Sequence, residues 1–98
     1  MKFRMKVYRV EREVVVAVCD SDIVGKTFRE GEVKIEVKES FYGDVDVDEE
    51  DVRRALKVAT IANITGKRAV KIAIEMGIVD ESNVLKIGEC WHAQMVIV

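Results

Sequence analysis

Few side chains in this sequence are of the types that do chemistry, and their spacing limits what they can do. The chain has one histidine, His92, and two cysteines, Cys19 and Cys90. Cys90 and His92 stand two residues apart, so on a strand both would point to the same side. Such a pair could supply an activated thiolate, or two ligands of a zinc site with Cys19 as the third. Against a zinc site, structural zinc usually takes four ligands, and no Cys-x-x-Cys occurs. A serine–histidine–acid triad would need Ser21, Ser40 or Ser82 as nucleophile, and each of these lies in a polar turn. The expected role of both cysteines is therefore that of buried thiols in a reducing compartment. A disulfide between them is the alternative if the source grows at high temperature. No catalytic residue, cofactor or metal is assigned.

The charged residues are more informative, because they are segregated. Residues 41–52 carry only acids and residues 53–71 only bases. Asp44, Asp46, Asp48, Glu49, Glu50 and Asp51 could hold a hard cation, but they lack the glycine and terminal glutamate of a calcium loop. A solvated helix start, where the dipole favours acids, accounts for half of them. The bases are Arg53, Arg54, Lys57, Lys67, Arg68 and Lys71. Lys67 and Arg68 follow Thr65-Gly66 in the first turn of a predicted helix, the end where free N–H groups are already positive. Exposed amides with two added cations would suit an anion or phosphate. The bland alternative is a surface helix start whose cations pair with nearby acids. Lys26, Phe28 and Arg29 form a second basic group, in a loop between Gly25 and Gly31. A basic-aromatic-basic loop can grip phosphate and stack on an unpaired base, or Phe28 can simply plug the core. Lys2, Arg4 and Lys6 make a basic row that can pair across strands with Glu32 and Glu36.

The elements that must position these residues follow from periodicity. Residues 3–10 alternate as a half-buried strand, and Val14 to Cys19 is a β-branched run buried on both faces. Glu11 to Glu13 turns between them, giving a hairpin. Asp20-Ser21-Asp22 ends the second strand and begins a short helical turn through Val24. Residues 32–38 alternate cleanly, with Val33, Ile35 and Val37 inward. Asp48 caps a helix whose apolar face is Val52, Ala55, Leu56 and Ala59. Asn63 to Gly66 interrupts, and a second helix runs from Lys67 to Met76 with Gly77 as its left-handed cap. Lys71 and Glu75 form an i,i+4 pair. Val84 to Ile87 is a short strand, Gly88 to His92 a connection, and Gln94 to Val98 a final strand. The fold expected is α+β: a mostly antiparallel sheet with two main helices packed on one face, forming a single domain over residues 1–98.

Composition agrees. Ninety-eight residues, 49% hydrophobic and 35% charged, suffice for one buried core. The formal net charge is −2, so no global field draws the chain to nucleic acid or an anionic membrane, and any such binding needs a local patch. No apolar run approaches a membrane span or a signal sequence, so a cytoplasmic location is expected. One Gln and two Asn among dense Glu, Lys and Arg suit growth at high temperature.

Four stretches together carry a resemblance: Gly-Lys-Thr-Phe-Arg-Glu-Gly at 25–31, Phe-Tyr-Gly at 41–43, Ala-Thr-Ile-Ala-Asn-Ile-Thr-Gly at 59–66 and His-Ala-Gln at 92–94. In this order and at this length the chain resembles the archaeal domain-of-unknown-function family 424. The resemblance implies an archaeal cytoplasmic protein and transfers no catalytic residue, since that family has no established activity. Glu89-Cys90-Trp91 departs from the family pattern, which speaks against a special thiol function at Cys90. The function expected is a non-enzymatic binding module for RNA or a ribonucleoprotein, in translation or RNA metabolism. Its candidate binding residues are Lys26, Phe28, Arg29, Asn63, Gly66, Lys67, Arg68, His92 and Gln94. The alternatives are an enzyme or metal site around Cys90 and His92, and a protein-interaction subunit or homodimer that pairs through the apolar final strand.

Overall fold

The computed structural model describes residues 2–97. Strand β1 (Phe3–Val10) turns at Glu11-Arg12 into β2 (Glu13–Asp20), and the two pair antiparallel along their whole length. Ser21–Ile23 forms the expected helical turn. A second hairpin follows, β3 (Thr27–Glu30) and β4 (Val33–Glu36), then the short helix α1 (Glu39–Tyr42) and β5 (Asp46–Val47). Helix α2 (Glu49–Val58), β6 (Ile61–Thr65), α3 (Lys67–Glu75), β7 (Leu85–Ile87) and β8 (Cys90–Val96) complete the chain. The main sheet has the order β5-β1-β2-β6-β8-β7. Its one parallel contact is β2 with β6, and the other neighbours are antiparallel. The α+β class with a mostly antiparallel sheet holds.

Side-chain alternation along β2 divides the interior in two. Val16 and Val18 join Ala62 and Ile64 of β6, Val52 and Leu56 of α2, and Ala69, Val70 and Ala73 of α3 in the larger core. Ala17 and Cys19 lie in a smaller core with Val37, Tyr42 of α1 and the ring of Phe28. A strand covered on both sides needs the continuous apolar run that residues 14–19 supply.

Helix α2 starts as its sequence requires. Asp48 accepts from Asp51 N–H at 3.0 Å while Asp51 accepts from Asp48 N–H at 3.1 Å, a reciprocal capping box. Three acids of the run are paired with cations. Asp46 binds Arg4 at 2.6 Å, Glu49 binds Arg53 and Asp51 binds Arg54, and no three acids converge on a cation site among the described residues. Gly77 adopts a φ of 76° after α3, as a left-handed cap does.

Several expectations are corrected. The segment read as an interruption between helices is β6, a central strand. The loop of residues 25–31 contains β3, and Val33, expected inward, is 54% exposed because β4 pairs only with β3. Strand β8 begins at Cys90, so Trp91 and His92 lie on a strand and not in a connection. β7 covers β8 only over Cys90–His92, so the end of β8 at Met95 and Val96 pairs with β6 alone and is a sheet edge, as expected; Val98 lies outside the described residues. Arg4 pairs with Asp46 and Glu39 rather than with a β4 glutamate, since β5 is the neighbour of β1. Glu75 pairs with Arg53 of α2, not with Lys71.

Candidate functional site

The parallel pairing of β2 with β6 decides the fate of the α3 start. Cys19 stands opposite Thr65, so Asp20 falls beside Gly66, where the helix begins. Its carboxylate accepts from Ala69 N–H at 2.8 Å and from Arg68 N–H at 3.1 Å. The amides read as free for a phosphate are thus occupied by an internal carboxylate, itself only 5% exposed. The Arg68 side chain is committed too. It lies 3.8 Å from Asp20 and 3.2 Å from Asp22, donates to Lys2 C=O and covers the Phe3 ring. This corrects the anion-site reading for Gly66 and Arg68: they close the helix start from within.

Lys67 is different. Its ammonium lies 5.2 Å from the centroid of the Trp91 ring, with Lys86 at 4.7 Å and Lys71 at 6.0 Å. Spacing explains the group. Lys67 and Lys71 are i,i+4 on α3, Lys86 is opposite Trp91 in the β7–β8 register, and α3 packs on β8. None of the three lysines forms an ion pair among the described residues. Trp91 is half-buried against the larger core. The result is an aromatic face ringed by cations without counter-charges. Lys26, Phe28 and Arg29 do not join it. Phe28 packs into the smaller core on the other side of the sheet, while Lys26 and Arg29 are exposed on the hairpin.

On that other side, β6 and β8 present a polar array. Thr65 is opposite His92 and Asn63 is opposite Gln94. Thr65 Oγ1 lies 2.7 Å from the Tyr42 hydroxyl and 2.9 Å from His92 Nδ1. The Gln94 amide lies 3.4 Å from His92 Nε2 and 3.3 Å from Asn63 Oδ1. Tyr42 and Thr65 are buried, so each hydroxyl hydrogen needs a protein acceptor. One direction satisfies both: Tyr42 donates to Thr65, and Thr65 donates to His92 Nδ1. The imidazole proton then sits on Nε2, and half-turns of both the Gln94 and Asn63 carboxamides set the Gln94 oxygen against that N–H and the Asn63 N–H against the same oxygen. Above the array is an open cleft of about 510 Å³, walled by Ile35, Phe41, Leu85 and Ile87, with Lys34 and Lys38 also lining it. Of the predicted residues, the structure brings together Asn63, His92 and Gln94 here.

Burial lowers the affinity of His92 for a proton below its ordinary value of 6.5. The folded protein therefore resists protonation that the unfolded chain accepts. Stability from this group is complete above about pH 6.5 and declines as pH falls through that value. In urea unfolding below pH 6.5, the wild type is expected to lose stability more steeply than His92→Gln. Equal slopes would mean that His92 titrates as it does in water. The thiols offer no comparable chemistry: burial pushes Cys19 up to about 12 and also raises Cys90, so both stay protonated at neutral pH. No three potential ligands gather around a metal among the described residues.

At the far end of β8, a groove of about 550 Å³ is lined by Leu56, Met76, Ile78, Met95 and Ile97, with Val58, Val96 and Ile97 about 60% exposed. No helix among the described residues is long and apolar enough to cross a membrane.

Sequence reasoning passed over Trp91, Lys71 and Lys86 as binding residues, and Tyr42 and Thr65 as members of the polar array. The available signal was alternation through Cys90-Trp91-His92, which as a strand sends Trp91 to one face and His92 to the other.

A comparison with curated proteins returns no match. A crystal structure of an uncharacterised conserved protein from Methanopyrus kandleri superimposes with a TM-score of 0.80 at 20% identity, over 100% of this chain and 93% of that one. At that identity the likeness establishes the fold alone. The model of a family described as "Protein of unknown function (DUF424)" matches residues 8–98, and the chain belongs to that family.

Proposed function

We propose that the protein is a non-enzymatic module that binds single-stranded RNA through the Trp91 face. The carrying observation is the set of three unpaired lysines, Lys67, Lys71 and Lys86, around one half-buried indole. Stacking on an aromatic ring with flanking cations is how sequence-tolerant single-strand binding works: each base has a π-face, and each phosphate a charge. A net charge of −2 requires the attraction to be local, and this face supplies it. The polar array fits the same reading, since unpaired bases are read by hydrogen bonds to their edges.

Titration of labelled single-stranded RNA at several salt concentrations tests the proposal. Three phosphate contacts give a log–log salt slope of about −2, from roughly 0.7 per contact on single strands. Combining Lys67→Glu, Lys71→Glu and Lys86→Glu is expected to abolish that slope and most of the affinity. An acid at position 67 suits the helix dipole, so folding is not the confounding variable there. Absence of binding at low salt, or a slope unchanged in the triple variant, would overturn the reading.

A further inference from the structure

We propose that the cleft above Asn63, His92 and Gln94 receives one unpaired nucleobase of the bound RNA and reads its hydrogen-bonding edge. This rests on the RNA reading and adds base selectivity to it. The floor of the cleft is made of neutral groups: an imidazole N–H and two carboxamides, held as cross-strand neighbours. A floor without fixed cations is poorly matched to a bare phosphate, and a polar one is poorly matched to a lipid chain. Adjacent donors and acceptors match the edge of a base. The apolar walls suit its faces, and a volume of about 510 Å³ falls in the range of small-ligand sites. Lys34 is neutralised by Glu36 at 3.6 Å, which leaves Lys38, unpaired among the described residues, as the cation for the attached phosphate.

The short edge strand β7 joins the cleft to the Trp91 face. Leu85 and Ile87 line the cleft, whereas Lys86 between them stands over Trp91. A strand of RNA crossing this edge meets the lysines on one side and the polar array on the other. His92 is fixed for the task by the Tyr42–Thr65 hydroxyl relay behind it, which puts the ring proton on Nε2 beside the Gln94 carboxamide, and both side chains line the cleft.

The test compares affinities for short homopolymers of U, A, C and G, and follows the side-chain resonances of His92 and Gln94 as free mononucleotides are added. The wild type is expected to prefer one base by at least about fivefold, the lower end of what a good edge contact provides. Asn63→Ala with Gln94→Ala should flatten that preference while leaving the salt slope intact, and Gln94→Glu should change its rank order. Equal affinity for all four homopolymers, or a preference untouched by these variants, overturns the cleft while leaving RNA binding in place. Mononucleotides that shift His92 and Gln94 without any homopolymer binding support the cleft and overturn the RNA reading instead. Silence in both arms overturns both.

Discussion

Replacing Gly66 by alanine is expected to lower the unfolding free energy by about 2–5 kcal/mol, a large share of what a domain this size possesses. Two terms contribute. Gly66 has φ 107° and ψ 145°, a conformation that costs a residue with a Cβ on the order of 1–3 kcal/mol. The added Cβ would also lie 2.7 Å from both carboxylate oxygens of Asp20. That carboxylate is buried and held by two backbone amides, so it can withdraw only by abandoning the α3 cap, a loss of roughly 0.5–2 kcal/mol. Gly77→Ala is the matched control. It also has a positive φ, but nothing among the described residues lies within 4 Å of the new Cβ, so only the conformational cost of about 1–2 kcal/mol remains. Urea midpoints of the two variants decide the matter. A Gly66→Ala protein no less stable than Gly77→Ala would show that Asp20 is not locked against the helix start.

Asp20 and Gly66 also show where sequence reading stops. The residues that cap α2 are three apart, and the reciprocal bonds of Asp48 and Asp51 follow from local rules. The acid that caps α3 is 48 residues before Arg68. Only the β2–β6 register brings it there, and β6 was hidden. Ile61 to Thr65 is five residues long, follows an apolar helix face without a proline or glycine, and contains Asn63. Read locally, it is an interruption between two helices. As a central strand it satisfies its backbone on both sides, and the asparagine is tolerated because Gln94 stands opposite. Long-range pairing overrode local propensity, as it commonly does for strands. The hairpin β1–β2, helix α2 and the cap at Gly77 were legible because their determinants are close in sequence.

The binding residues divide in the same way. Asn63, His92 and Gln94 were singled out in the sequence and do meet, through the β6–β8 register. The sequence leaves open whether the two basic groups converge; Phe28 anchors its hairpin on one side of the sheet while Lys67 faces Trp91 on the other. Net charge and charge runs cannot reveal this, because the face on which a cation ends up is set by strand parity. A shift of one residue in β8 would exchange Trp91 and His92 between the two sides.

That parity makes Trp91 the residue with the largest expected effect on binding. Trp91→Ala removes the stacking surface, worth about 1–3 kcal/mol per base, and should weaken single-stranded RNA about 5–150-fold. Trp91→Phe keeps an aromatic face and should retain most of the affinity. Neither change removes a lysine, so the salt slope should stay near the wild-type value, whereas reversing Lys67, Lys71 and Lys86 should remove it. This split between stacking and charge separates a working platform from a tryptophan that only fills the core. Trp91 also packs against the larger core, so circular dichroism well below the melting temperature must first show both variants folded. The wild type carries its own probe. Trp91 is the one tryptophan of the chain, and a base stacked on it should quench its fluorescence in proportion to the RNA bound. RNA that binds without quenching, and with equal affinity to Trp91→Ala, would place the contact elsewhere on the molecule.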